Sequence, residues 1–296
     1  MQKISLNTYF KMIRPTNSVM VGAAVIIGVI LTSLQAVLVW KTLFGFLTGF
    51  FVASFSMVVN DIYDIEVDRV NRLNRPLVKG EIKISVAWAY AITLLFLGIV
   101  FSLLTSLTGF IITVVFGFIS WFYNFYLKKQ GIIGNLTVAL STSIPYIYGS
   151  VVSAAVVPTI QGTFFLGSSS LLLWAVIVSF LAVTGREVIK TISDAEGDRT
   201  RGVKSITHSI GEENSARAGA TLFILAVFST FGPYLSKQAG ILYLAMVMVP
   251  DALFVYLSYS ILKNYSSANV YRVKKFALIG MLLGFIAFIA EKMVIR

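Results

Sequence analysis

Asn60, Asp61, Asp64 and Asp68 lie within one short stretch, NDIYDIEVD. On a helix, residues 60, 64 and 68 fall at i, i+4 and i+8, so their polar groups share one face. Like charges so placed repel one another. They also follow a long apolar run, 42–59, and the C-terminal end of a helix already disfavours anions. Acids there are costly unless something cationic sits among them. An all-oxygen donor set points to a hard cation such as Mg²⁺, which takes one or two carboxylates and completes its shell with water and substrate phosphates. Arg69, Arg72, Arg75, Lys79 and Lys83 follow directly, and Arg72 continues the column. Carboxylates that hold a metal, flanked by guanidinium forks, suit a diphosphate.

A second stretch, GREVIKTISDAEGD at 185–198, carries Arg186, Lys190, Asp194 and Asp198 at another spacing of four. The plain alternative is a string of helix-surface ion pairs, each contributing a few tenths of a kcal/mol. Topology decides between the two readings. Of 296 residues, 57% are hydrophobic and 12% charged, and mean hydropathy is +0.85. A soluble domain carries roughly a quarter charged residues. The chain therefore reads as an all-α integral membrane protein.

Apolar runs of about 20 residues suit membrane-spanning helices. They recur at 18–39, 42–62, 84–106, 109–127, 132–156, 169–190, 217–235, 239–262 and 274–294, predicting nine spans. Residues 3–14 are short and amphipathic and predict an interfacial helix ended by Pro15. No charged region, short apolar core and small-residue cleavage site precede the first span, so no removable signal is expected.

With the N-terminus in the cytoplasm and the C-terminus outside, 20 of the 24 Lys and Arg fall on the cytoplasmic side, as the positive-inside rule requires. The net charge of +11 then reflects topology, and no nucleic-acid partner is implied. Both acidic stretches close even-numbered spans, so both end on the cytoplasmic side and can face one cavity. Two apposed clusters suggest two Mg²⁺ ions clamping one diphosphate. The chain is one transmembrane domain over 1–296, with 1–15 interfacial and 60–83 and 186–216 as cytoplasmic active-site segments.

Tyr123, Asn124, Tyr126 and Lys128 close the fourth span on the same side; they could contact substrate or form the ordinary interfacial belt. Asp251, after Pro250 in mid-span, should face the bundle interior and have a partner. His208, in a polar stretch, reads as solvated. No cysteine and one histidine leave no thiolate chemistry, no disulfide and no histidine-based metal site.

These residues resemble the UbiA superfamily of intramembrane prenyltransferases, nine-helix enzymes with two aspartate-rich motifs. Asn60, Asp61, Asp64 and Asp68 match the first, and Asp194 with Asp198 the second. One position departs from the pattern: Asn124 stands four before Lys128, where many members carry Tyr. Within the superfamily the runs NDIYDIEVDRVNRLNRPLVKG and GREVIKTISDAEGDRTRGVKS are most similar to archaeal digeranylgeranylglyceryl phosphate synthases.

The resemblance implies transfer of an isoprenyl group from its diphosphate to the hydroxyl of a glycerophosphate-ether lipid, at a multi-pass site in the cell membrane facing the cytoplasm. Metal would be held by Asn60, Asp61, Asp64, Asp68, Asp194 and Asp198, with Asp64, Asp68, Asp194 and Asp198 catalytic. Diphosphate would be bound by Arg72, Lys128 and Lys190, then Arg69 and Arg75. The acceptor would meet Arg14, Asn17, Tyr123, Asn124, Arg199, Arg201 and Lys204. A quinone-type aromatic prenyltransferase would share the donor site and differ in the acceptor pocket. A transporter fits less well, since its site belongs near the midplane. Oligomeric state is not specified by the sequence.

Overall fold

A computed structural model describes residues 5–70, 74–157, 170–200 and 205–294, with no side-chain description at 170 and 196–200. Twelve α-helices occur among them: α1 (Leu6–Met12), α2 (Pro15–Thr32), α3 (Trp40–Tyr63), α4 (Ile65–Val70), α5 (Ile84–Thr105), α6 (Leu107–Phe125), α7 (Ile132–Ala154), α8 (Ser170–Thr200), α9 (Ile206–Thr230), α10 (Gly232–Leu235), α11 (Ile241–Lys263) and α12 (Ser267–Val294). Nine of the described helices are long and apolar enough to cross a membrane. The chain is a multi-pass membrane protein.

The expected boundaries shift where local chemistry intervenes. Pro15 opens α2 rather than merely ending α1, because its missing N–H is an orphan at a helix start anyway. Ser33 turns extended, so the first span stops at Thr32 and a short 3-10 turn, Leu34–Ala36, leads to α3. The largest shift is in the second half. α8 runs to Thr200, and α9 begins at Ile206, so the second acidic stretch and much of the polar segment after it are helical. Gly211 interrupts α9 at φ 83°, a left-handed conformation that glycine adopts without Cβ strain.

Two groups of helices form. α3, α5 and α6 pack together in the N-terminal half; α8, α9, α11 and α12 close a ring in the C-terminal half. α2 and α7 cross between them, α7 lying against α8. That crossing is close because it is made of glycine. A Cβ on Gly28 would strike the Tyr146 carbonyl, and one on Gly149 the Val25 carbonyl. Small residues that let backbones approach are how membrane helices gain packing without a hydrophobic driving force.

Asp251 faces the interior as expected: it is 5% exposed and bonded to Thr230. His208 is exposed but not merely solvated. Its Nε2 lies 2.8 Å from the Ala195 carbonyl and its Nδ1 3.2 Å from Ser205 Oγ, tying the first turn of α9 to α8.

Candidate active site

The first acidic stretch is not one uninterrupted helix. α3 ends at Tyr63, and Asp64 caps it at φ −95°, ψ 4° before α4 begins. The backbone bonds from Asp64 N to Asn60 O (3.0 Å) and from Asp68 N to Asp64 O (2.7 Å) nonetheless retain helical connectivity. The motif therefore stays compact while its acids point to different partners.

Asp61 is 2% exposed and its Oδ1 accepts from both Arg14 and Arg75, the latter at 2.8 Å. Arg14 Nη2 also lies 3.4 Å from Asn60 Oδ1. Arg75 Nε is 3.8 Å from Asp68 Oδ2. Lys128, just beyond α6, pairs with Asp64. Asn60 Nδ2 donates to Asn124 Oδ1 at 2.9 Å, so the residue that departs from the family pattern is bonded to the motif itself. Three cations thus meet three carboxylates, which is how a buried acidic group escapes the cost of uncompensated charge.

Burial pushes the Asp68 carboxyl above its ordinary value. Arg75 pulls it down; the charges of Asp64 and Asp61 push it further up.

Arg14 adopts φ 44° and ψ 69°. A non-glycine residue in the left-handed region is strained, and such strain collects where function fixes the backbone. Here the backbone holds a guanidinium on Asp61.

At the second stretch the centre is Glu187, which spacing alone did not single out. Its side chain is 7% exposed and meets Arg186 Nη1 at 2.5 Å and Lys190 Nζ at 3.3 Å. Its neighbours on either side of the chain, two cations within three residues, were the available signal. Arg186 Nε reaches the Lys274 carbonyl at 3.4 Å, which brings α12 to the site. Asp194 Oδ1 accepts from Ser193 Oγ at 3.0 Å.

The remaining candidates divide as follows. Asn17 is exposed in the first turn of α2. Arg69 is 59% exposed and paired with Glu66. Arg72, Arg201 and Lys204, and the side chains of Asp198 and Arg199, lie outside the described residues.

Comparison with known proteins follows the same lines. Residues 21–289 match the model of the UbiA prenyltransferase family. The chain is 34% identical over 284 residues to the digeranylgeranylglyceryl phosphate synthase of Methanocaldococcus jannaschii, covering 96% of this chain and 95% of that one. It is 31% identical over 294 residues to the Archaeoglobus fulgidus protein of the same name, covering 97% of each. A solved digeranylgeranylglyceryl phosphate synthase structure superposes with a TM-score of 0.79 at 32% identity, over 97% of this chain and 98% of that one. A UbiA homologue from Archaeoglobus fulgidus, bound to GPP and Mg²⁺, shares the fold at a TM-score of 0.64 and 19% identity, over 95% and 99%. With helices, motif and near-complete coverage in agreement, the chain belongs to the UbiA prenyltransferase family.

Proposed function

We propose that the protein transfers a geranylgeranyl group from geranylgeranyl diphosphate to the free hydroxyl of geranylgeranylglyceryl phosphate, making the second ether bond of an archaeal membrane lipid. The observation that carries this reading is the convergence of Asn60, Asp61, Asp64 and Asp68 with Arg14, Arg75 and Lys128 at one end of α3 and α6. The near-full-length likeness to proteins named digeranylgeranylglyceryl phosphate synthase supports this acceptor class.

The donor atoms fit Mg²⁺. They are all oxygen, and among the described residues no three acids converge as a ligand set. Mg²⁺ needs only one or two carboxylates beside water and substrate phosphates. From the set Asn60, Asp61, Asp64 and Asp68, one or two carboxylates would hold one ion, and Asp194 with Asp198 a second. Bound metal supplies positive charge to the departing diphosphate.

The chain's own groups do the rest. Lys128 and Arg75 would donate to phosphate oxygens where negative charge grows, and Lys190, Arg69 and Arg72 are the further cations assigned to the diphosphate. The allylic C–O bond breaks, the acceptor hydroxyl oxygen bonds to that carbon, and its proton goes to a carboxylate. Asp61 is buried too but already accepts from two guanidiniums, so Asp68, whose proton affinity burial raises, is the carboxylate we assign. We assign the acceptor to Arg14, Arg199, Arg201 and Lys204 as phosphate-binding cations, with Asn17, Tyr123 and Asn124 as further acceptor contacts. The apolar walls of the bundle keep water from the cation, which would otherwise be hydrolysed.

We assign this site to the cytoplasmic face of the cell membrane, with the N-terminus in the cytoplasm and the C-terminus outside, a reading that the distribution of Lys and Arg supports.

The test is prenyl transfer by the purified protein, with and without Mg²⁺, for wild type and Asp64→Ala. Mg²⁺-dependent diether formation that the substitution abolishes supports the reading. Transfer to an aromatic acid in place of the ether-lipid acceptor would move it to the quinone-type enzymes. Activity indifferent to both metal and Asp64 would overturn it.

A further inference from the structure

Away from this site, the ring of α8, α9, α11 and α12 encloses a cavity with about 30 Å³ of room for the centre of a water molecule. Its walls are apolar except for Ser179, Thr230 and Asp251. Asp251 sits near the middle of α11, where a charge should have a partner of opposite sign. Among the described residues it has no ion pair; its hydrogen-bond partner is Thr230, at 2.7 Å from Oδ2. The Tyr243 hydroxyl on α11 donates to the Thr230 carbonyl at 2.9 Å, a titratable neighbour that is not a cation.

The proton count around Thr230 decides the state of the acid. Thr230 Oγ1 lies 2.6 Å from the Val227 carbonyl and 2.7 Å from Asp251 Oδ2. A hydroxyl carries one proton and two lone pairs, and a carbonyl oxygen can only accept. If Thr230 donates to Val227, the short contact with Asp251 needs a proton from the carboxyl. An ionised carboxylate would leave two acceptors sharing one hydrogen, in a medium where unpaired charge is expensive.

Ser179, on α8, lines the same space. Among the described residues, no donor meets Asp251 Oδ1, and the Ser179 hydroxyl, 6% exposed, has no partner. Pro250 has no N–H, so the Met246 carbonyl one turn earlier loses its usual helical donor. Cavities of this size hold water when two to four polar groups line them, and freed backbone groups in membrane helices are commonly satisfied so.

We infer that Asp251 is a neutral carboxylic acid that donates its proton to Thr230, and that with Ser179 it binds water inside the C-terminal helix ring. The site is separate from the diphosphate cluster and serves the integrity of the ring rather than the reaction.

Infrared spectroscopy of the intact protein in H₂O and D₂O tests it. Wild type should show an exchange-sensitive protonated-carboxyl band at neutral pH that Asp251→Asn removes. Thr230→Val should move that band to higher frequency by deleting its acceptor. Absence of the band in wild type, or its persistence unshifted in both variants, would overturn the assignment. If Asp251→Asn fails to fold, the Thr230→Val shift alone decides. An experimental structure with no water density between Asp251 and Ser179 would overturn the water site.

Discussion

Lys128 and Asp64 are 64 residues apart in sequence and form an ion pair across the ends of α6 and α3. The pair joins two helices at the point where the first acidic motif leaves the membrane. A lysine held there is already within reach of anything that Asp64 helps to bind.

Replacing Lys128 with Met should weaken donor binding about ten- to a hundredfold, the value of a charge-assisted bond of roughly 1.5–3 kcal/mol. Titrating geranylgeranyl diphosphate against wild type and variant measures it. Lys128→Arg should recover only part, because a fork and a point charge are not interchangeable. Equal donor affinity in all three would remove Lys128 from the site.

Asp64→Asn keeps the shape of the side chain and deletes its charge. Turnover should fall about 10²–10³-fold, on the scale of losing one preorganised electrostatic group. The thermal shift produced by Mg²⁺ should shrink in parallel. A variant that loses turnover yet keeps the full metal-dependent shift would mean that Asp64 acts other than through the cation.

Arg14 offers a separation of strain from charge. Arg14→Ala should cost about 3 kcal/mol, since Asp61 is 2% exposed and would lose one of two guanidiniums. Arg14→Gly loses the same contact but relieves a left-handed backbone, so it should be about 1 kcal/mol more stable than the alanine variant. Chemical denaturation in detergent compares them. The reverse order would mean that the backbone at Arg14 is not strained.

The pH response of Asp68 has a definite sign. Its folded-state proton affinity is raised, first by burial. Its contribution to stability is therefore complete below the ordinary carboxylate range and is lost as pH rises through the raised value. Metal must displace that proton, so the Mg²⁺-dependent thermal shift should grow with pH across the same window. Asp68→Asn should flatten this part of the profile. An unchanged profile would sever Asp68 from cation binding.

Gly28→Ala probes the framework instead. Its Cβ would meet the Tyr146 carbonyl, which is backbone and cannot swing away. A loss of about 1–3 kcal/mol is expected from such overpacking, with metal affinity unchanged in the folded fraction. A neutral effect would show that α2 and α7 separate easily.

Much of this was legible in the sequence because it is local or one-dimensional. Hydrophobic runs mark the spans, since every backbone group in lipid must be satisfied within its own helix. The spacing of Asn60, Asp61, Asp64 and Asp68 marks a polar cluster at a helix end, and cationic residues concentrate beside it. Tertiary structure alone decided which cation meets which acid. Helix rotation and crossing bring Arg14 to Asp61, Lys128 to Asp64 and Asn124 to Asn60, partners 47 to 64 residues apart that no periodicity connects. The same holds for Glu187, which sequence spacing passed over and burial beside Arg186 and Lys190 made central. Charge pairing depends on distance in space, and a helical repeat fixes only the face on which a residue stands.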